Sequence, residues 1–224
     1  MLEPVVIGTL LVWGTIVGVD LVSFPQAMLN RPIVAASVAG FLIGDLEAGL
    51  RIGMLLECFA LDVIPIGATR YPDYGPASVV GTAVGSFAGW QDPTGLGVMV
   101  GLLLALAGGR AMEFVRRLNG RLARVAAPAL ASGDPAVLAR LQRTGLVADA
   151  LRSLLVTAVG LMLAWLLLPW LGALGDAGRA LRLVAVAGAL VAAITGAARR
   201  AGSGAPRLLL GLGIVAGGIL AWLA

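Results

Sequence analysis

The sequence has little charge for its length, and this limits the class of protein. Of its 224 residues 12% are charged and 59% are hydrophobic, and the mean hydropathy is +0.98. A soluble domain carries about 25% charged residues. The composition therefore excludes a water-soluble globular fold and predicts a protein that crosses a membrane several times.

The chain also has no lysine and no histidine, because all sixteen basic residues are arginine. A phosphate-binding Walker loop, a Schiff-base lysine, a phosphohistidine and a histidine-ligated metal site are therefore missing. The single Cys58 cannot form an intrachain disulfide. We expect no catalytic residue, no cofactor and no metal site. The arginines flank apolar segments, where positive-inside topology explains them, so we expect no nucleic-acid partner.

The first hundred residues are a series of apolar stretches. Residues 4–19 lack the basic start and cleavage site of a secretory signal, so we expect a retained membrane helix. Residues 33–43 are too short to cross a bilayer unless they join residues 21–32, which contain Pro25, Gln26 and Asn30. A polar run at membrane depth is tolerated only when it is buried or lines a cavity, which predicts a broken or re-entrant helix. Further apolar stretches follow at residues 48–67, 77–90 and 95–107.

The composition changes between residues 110 and 152, which hold eight arginines. An apolar stripe over residues 115–125, with arginines elsewhere on the wheel, predicts a basic amphipathic helix in the membrane interface. Asp134 and Pro135 predict the start of a second short helix that ends near residue 142. Because excess arginine marks the cytoplasmic side, we expect this linker in the cytoplasm.

Three more apolar spans follow the linker, at about residues 151–171, 180–198 and 208–223. The chain therefore divides into a first membrane half (1–109) with the site motifs, a basic cytoplasmic linker (110–150) and a second membrane half (151–224). We predict an all-α, polytopic membrane protein with about seven to eight membrane segments, broken or re-entrant helices among them.

One carboxylate in the first half is aligned with glycines. Gly49, Gly53 and Glu57 follow one another at intervals of four and so share one helical face. A charge at membrane depth costs at least about 2.5 to 3.5 kcal/mol to insert, so Glu57 is a candidate functional residue. Other charges nearby have a structural alternative, since Glu47 and Arg51 stand at the spacing of a helical ion pair.

The motif string of the first half resembles a known family, the IIC subunits of the mannose/fructose/sorbose type of phosphoenolpyruvate-dependent sugar phosphotransferase systems. The resemblance covers about residues 1–110 and rests on the following residues: Asn30-Arg31-Pro32, Gly40, Gly44-Asp45, Gly49, Gly53, Glu57, Pro65-Ile66-Gly67-Ala68 and Pro72-Asp73.

The resemblance implies a multi-pass subunit of the bacterial plasma membrane that binds a hexose and moves it inward for phosphorylation by a soluble IIB protein. It also implies a IID membrane partner and a soluble IIA protein, besides the lipid bilayer; a homo-oligomer is left open. The chain itself is then not an enzyme, since the phosphorylated residues belong to the partners, in agreement with its lack of histidine.

The same resemblance implies the substrate-binding residues. Glu57 falls on the sugar-contacting glutamate of the family, and the segment before Asn30 falls on a re-entrant hairpin. A hexose needs groups that accept hydrogen bonds from hydroxyls, and often an aromatic face. The candidate acceptors are Gln26, Asn30, Glu57 and Asp73, and the candidate aromatic residues are Phe24, Phe59 and Tyr71.

The chain departs from the family pattern at several positions. Pro25 and Gln26 stand where relatives commonly carry an acidic pair, and Pro65 stands where many have asparagine. Arg51 replaces an apolar residue, and a glycine pair is reduced to Gly53 followed by Met54. Two alternatives follow. One is a secondary transporter or channel for a small polar solute, with Glu57 or Asp62 as a proton-coupled group. The other is a non-transporting membrane scaffold derived from the family.

Overall fold

The computed structural model describes residues 3–63, 70–172, 177–200, 208 and 211–213. Within these ranges the regular structure is entirely helical, which confirms the all-α prediction. The helices are α1 (Pro4–Asp20), α2 (Pro32–Ile43), α3 (Leu46–Ala60), α4 (Tyr74–Phe87), α5 (Thr94–Val125), α6 (Ala127–Ala131), α7 (Pro135–Gly172) and α8 (Gly178–Arg200).

The fold combines short helices in its first part with long helices in its second part. Among the described residues α5, α7 and α8 are long and apolar enough to cross a membrane alone. The helix α2 has 12 residues and α3 has 15, so at about 1.5 Å per residue they span roughly 18 and 22 Å of a core about 30 Å thick. The helix α2 is therefore the short apolar stretch that the sequence predicts at residues 33–43, whereas the shortness of α3 was not predicted. The predicted last span, 208–223, lies largely outside the described residues.

The basic linker differs from its predicted form. The helix α5 runs without interruption past residue 110 to Val125, because the apolar stripe keeps helical spacing and no proline intervenes. Asp134 caps α7 as predicted, its carboxylate accepting the N–H of Ala136 at 2.8 Å. However, α7 does not end near residue 142 and continues to Gly172. The prediction of separate linker helices was wrong, and the domain boundaries proposed at 109/110 and 150/151 fall inside α5 and α7.

A tight turn joins α2 and α3 into a hairpin. Gly44 ends α2 in the left-handed conformation with φ of 85°, which glycine adopts without steric cost. The carboxylate of Asp45 then caps α3 by accepting the N–H of Ala48 at 3.2 Å. Asp45 thus has the boundary role that the sequence suggests for it.

The two helices of this hairpin pack backbone to backbone. A Cβ atom on Gly49 would lie 2.5 Å from the carbonyl oxygen of Ala36 and 3.0 Å from the Cα of Gly40. Such close approach is the usual role of small residues between membrane helices. The predicted face of Gly49, Gly53 and Glu57 is the face that α3 presents to α2.

Helices α1, α4, α5 and α8 pack against this hairpin. The helix α4 is buried along most of its length and packs against α5, α2, α7 and α1. One apolar core joins α1, α2, α4, α5 and α7, and a second joins α3, α5 and α8. This packing brings the start of α2, the end of α3 and the start of α4 to one place.

The backbone contact at Gly49 gives a stability prediction. Because a Cβ there meets the Ala36 carbonyl, we expect Gly49→Ala to destabilise the protein by about 1 to 3 kcal/mol despite alanine's better helix propensity. The measurement is thermal unfolding of the purified protein in detergent. Gly8→Ala in α1 is the matched control, since a Cβ there meets nothing within 4 Å. An equal or higher melting temperature for Gly49→Ala contradicts the tight contact.

Candidate functional site

Glu57 lies one helical turn beyond Gly53, beside the first turn of α2. Its Oε1 accepts a hydrogen bond from Nη2 of Arg31 in an ion pair, and its Oε2 accepts the N–H of Ile33 at 3.3 Å. The N–H groups of the first helical turn have no partner inside the helix and attract negative charge. The charge of Glu57 is therefore compensated by a guanidinium group and by the N-terminus of α2.

Residues 21–31 form a compact irregular segment whose backbone is hydrogen-bonded to Asp20. The carboxylate of Asp20, 1% exposed, accepts the N–H of Ala27 at 2.7 Å and the N–H of Asn30 at 3.1 Å. Gln26 and Met28 both have positive φ, of 59° and 63°, a conformation uncommon for residues other than glycine. The segment is thus the broken element that the sequence predicts, and a buried carboxylate fixes its course.

A small cavity of about 50 Å³ lies where this segment meets the ends of the short helices. Its lining comes from the start of α2, the end of α3 and the residues before α4, and includes Asn30, Arg31, Tyr71 and Tyr74. A volume of this size holds a few water molecules and is far below the roughly 300 Å³ at which small-molecule sites begin. In this structure the small cavity is therefore too small for a ligand of that size.

A larger open cavity of about 810 Å³ lies beside it, between residues 21–26, α5 and α7. Its polar lining residues are Ser23, Gln26, Tyr71, Arg116, Asn119, Gln142 and Asp149. Leu21 and Tyr71 line both cavities and so form the wall between them. Gln26 and Asn30, both predicted to contact substrate, therefore line two neighbouring cavities.

Asp73 lies apart from the other predicted site residues. It is fully buried, and its Oδ2 is paired with Nη1 of Arg152, which is also buried. Arg152 donates in addition to Oδ1 of Asp149 at 2.8 Å and to the carbonyl oxygen of Gly18 at 3.0 Å. Asp149 in turn accepts the hydroxyl of Ser23 at 2.7 Å. Asp73 thus belongs to an ion cluster that ties α4 to α1 and α7, and it lines neither cavity.

Three more charged residues of the first half form ion pairs. Glu47 and Arg51 make the predicted ion pair at i,i+4. Asp62, the second candidate for proton coupling, is paired with Arg199 at 3.1 Å.

The three candidate aromatic residues separate clearly. Phe24 is 71% exposed, and Phe59 packs in the core beneath α8. Only Tyr71 of the three lines both cavities. We therefore retain Tyr71 as the aromatic candidate.

Sequence reasoning missed Asp20, Arg31 and Arg152 as site-forming residues. Asp20 directly follows an apolar helix, and an acid at that place was a signal of a buried carboxylate. Asp149 and Arg152 stand three apart at the start of an apolar span, which is the spacing of a helical ion pair. Their partner Asp73 is distant in sequence, so that contact had no local signal.

Comparison with known proteins identifies the family. The family profile described as the sorbose-specific IIC component of the phosphotransferase system matches residues 5–198. The chain belongs to this sorbose-type IIC family. Family membership and the apolar spans place it in the bacterial plasma membrane as a multi-pass protein.

Individual relatives agree with this assignment. The chain is 30% identical to the fructose permease IIC component of Bacillus subtilis (strain 168) over 150 residues, which is 67% of this chain and 55% of that protein. It is 31% identical to the mannose-specific EIIC component of Escherichia coli (strain K12) over 127 residues, 57% of this chain and 47% of that protein. The chain spans about half the length of the curated relatives that it matches.

A solved structure shares the fold. The cryo-electron-microscopy structure of the mannose transporter ManYZ with microcin E492 contains a chain that superposes with a TM-score of 0.63 at 24% identity. The superposition covers 99% of this chain and 95% of that one. The arrangement of long and short helices described above is therefore that of a known membrane fold.

The buried ion cluster gives a prediction for stability. Replacing Arg152 with methionine leaves the carboxylates of Asp73 and Asp149 without their cation, so we expect a loss of about 3 to 5 kcal/mol in the free energy of unfolding. The measurement is thermal unfolding in detergent. Arg199→Met is the matched control, because its pair with Asp62 is exposed and such pairs contribute about 0 to 1 kcal/mol. Similar small losses for both variants would show that the cluster is not important for stability.

The role of Asp20 gives a local prediction. In Asp20→Ala the N–H groups of Ala27 and Asn30 lose their acceptor, so we expect their amide hydrogen exchange to accelerate at least tenfold. Hydrogen bonds to a charged acceptor contribute about 1.5 to 3 kcal/mol, which is the basis of this expectation. Asp45→Ala removes a helix-capping carboxylate elsewhere and should leave these two amides unchanged. Unchanged exchange in Asp20→Ala contradicts the proposed hold on the segment.

Proposed function

We propose that this chain is the IIC translocation subunit of a mannose/fructose/sorbose-type phosphotransferase system. It binds a hexose at the pocket beside the α2–α3 hairpin and moves it across the membrane, where a soluble IIB protein phosphorylates it. The observation that carries this proposal is the ion pair of Glu57 with Arg31, because Arg31 lines the small cavity together with Asn30, although Glu57 itself does not line it. The names of the relatives, which are fructose, mannose and sorbose components, support it.

The chemistry of the pocket suits a neutral polyol. Each sugar hydroxyl both donates and accepts a hydrogen bond, while a carboxylate only accepts, a guanidinium only donates and an amide does both. The pocket region supplies one group of each kind, from Glu57, Arg31 and Asn30. In the closed pocket Arg31 and Glu57 satisfy each other. A sugar hydroxyl inserted between them accepts a hydrogen bond from Arg31 and donates one to Glu57, so that each charged group keeps a hydrogen-bond partner.

Binding of a hexose requires the pocket to open. A volume of about 50 Å³ does not admit a sugar, while the neighbouring cavity of about 810 Å³ does. Separation of the shared wall at Leu21 and Tyr71 joins the two spaces into one path toward the arginine-rich side. Movement of a substrate-binding element built from broken helices is a common form of alternating access.

The proposed partners are those that membership of the sorbose-type IIC family implies, and the lack of histidine agrees with them. With no histidine in its sequence, the chain has no phosphohistidine of its own. We infer that soluble IIA and IIB proteins carry the phosphoryl group and that a IID subunit completes the membrane complex. In this arrangement the chain is a transport subunit without catalytic residues.

Glu57 is the residue that tests the binding site. Glu57→Gln keeps an acceptor for Ile33 but removes the charge that holds Arg31, so we expect at least a tenfold loss of hexose binding with normal membrane insertion. The measurement is equilibrium binding of radiolabelled mannose, fructose and sorbose to the chain purified with its IID partner. Glu47→Gln is the matched control, being the same change on an exposed face of the same helix.

Three results would contradict the proposal. Unchanged binding in Glu57→Gln removes this residue from the sugar site. Uptake into vesicles that lack IIA and IIB, driven by a proton gradient, would instead support the secondary transporter. A chain that binds none of the three sugars and supports no uptake with all partners present would be a scaffold and not a transporter.

A further inference from the structure

A third cavity lies beside the C-terminal half of α5, against the residues that precede α4. Its volume is about 580 Å³. Five guanidinium groups line it, and Glu113 supplies the one carboxylate among its lining residues. We call it the arginine cavity, and its arginines are Arg70, Arg116, Arg117, Arg121 and Arg124.

The arginines converge on this cavity from two parts of the chain. Arg117, Arg121 and Arg124 follow one another at i, i+4 and i+7 on one side of α5, while Arg70 comes from the segment before α4. Gly120 also lines the cavity, and a Cβ there would meet nothing closer than Nη1 of Arg124 at 3.7 Å. Because glycine has no side chain, the space between the arginines beside residue 120 stays open.

Positive charge in the cavity exceeds what the protein itself neutralises. Glu113 accepts from Arg117 at 2.5 Å and from Arg70 at 3.0 Å, so two arginines share one carboxylate. Arg116 lies over the ring of Tyr71, 4.7 Å from its centroid. Arg121 and Arg124 form no ion pair with any carboxylate in the described part of the chain. With Arg116 left out of the count, four cations face one carboxylate, and this excess of positive charge favours an anionic ligand.

We propose that the arginine cavity binds the phosphate group of an anionic ligand. The planar fork of arginine matches two phosphate oxygens at once, and a phosphate monoester offers three oxygens and up to two charges. Positive-inside topology alone explains arginines near the membrane, but it requires neither their convergence from two segments nor a hollow between them. The phosphate comes from one of two sources, a phospholipid headgroup or a soluble phosphate. A headgroup diester presents two free oxygens and one charge to the arginines, and a soluble phosphate presents at least three oxygens and up to two charges.

The proposed phosphate site differs from the sugar site in its polar binding residues. The arginine cavity shares Tyr71 with the small and the large cavity, and Met112 and Arg116 with the large one, but none of Asn30, Glu57 and Gln26 lines it. An experiment that finds no phosphate binding therefore does not contradict the proposed sugar site. Likewise, the result of Glu57→Gln on sugar binding does not bear on the phosphate site.

The experiment has one arm for each source of phosphate. In the first, inorganic phosphate is titrated calorimetrically into the full chain in a neutral detergent. In the second, native mass spectrometry counts phosphatidylglycerol retained by the chain from nanodiscs that contain equal amounts of phosphatidylglycerol and phosphatidylcholine. Binding in the first arm assigns a soluble phosphate, and retention of phosphatidylglycerol over phosphatidylcholine in the second assigns the headgroup.

Three variants decide whether the cavity is the site. The double change Arg121→Gln with Arg124→Gln should weaken binding at least tenfold, and so should Gly120→Leu, which fills the cavity without changing the charge. Arg140→Gln with Arg143→Gln removes the same charge from α7 outside the cavity and should change binding less than twofold. Equal losses in both double variants, unchanged binding in Gly120→Leu, or no binding in either arm would overturn the proposal.

Discussion

The ion pair between Arg31 and Glu57 joins the first turn of α2 to the last turn of α3, and the geometry of the sugar pocket depends on it. Two helices this short contribute little apolar surface, and their contact is made by glycine backbones. Glycine packing sets how closely the helices approach but does not position a polar group. The carboxylate of Glu57 does this, because it faces a guanidinium and the open N–H groups of α2 at once.

The protein contains two kinds of ion pair that differ in their exposure to water. In the pair of Arg31 with Glu57 the side chains are 41% and 16% exposed. In the pair of Arg152 with Asp73 they are 2% and 0% exposed. The cost of separating a fully desolvated pair is high because neither ion regains water, while a half-exposed pair exchanges its partner for a hydroxyl at little cost. The first pair suits a site that must accommodate a ligand, and the second suits a fixed junction of helices.

The sequence predicts the parts of this protein that follow local rules. The helix face of Gly49, Gly53 and Glu57, the cap at Asp134, and the polar break before Asn30 are each set by neighbours within a few residues. The continuity of α5 and α7 was not predicted, since excess arginine was read as a change of element when it marks only the place where a helix leaves the bilayer.

Contacts between distant residues lie beyond such rules. Asp73 was grouped with Glu57 as an acceptor for sugar hydroxyls, yet the structure pairs Asp73 with Arg152, 79 positions away. Which arginine an acid meets depends on how α1, α4 and α7 pack, and a single sequence carries no direct record of that packing. Arg152 already has a local partner in Asp149, so the charges near it balance along the chain and give no sign of the second acid. Only the packing of α1, α4 and α7 brings Asp73 to this pair.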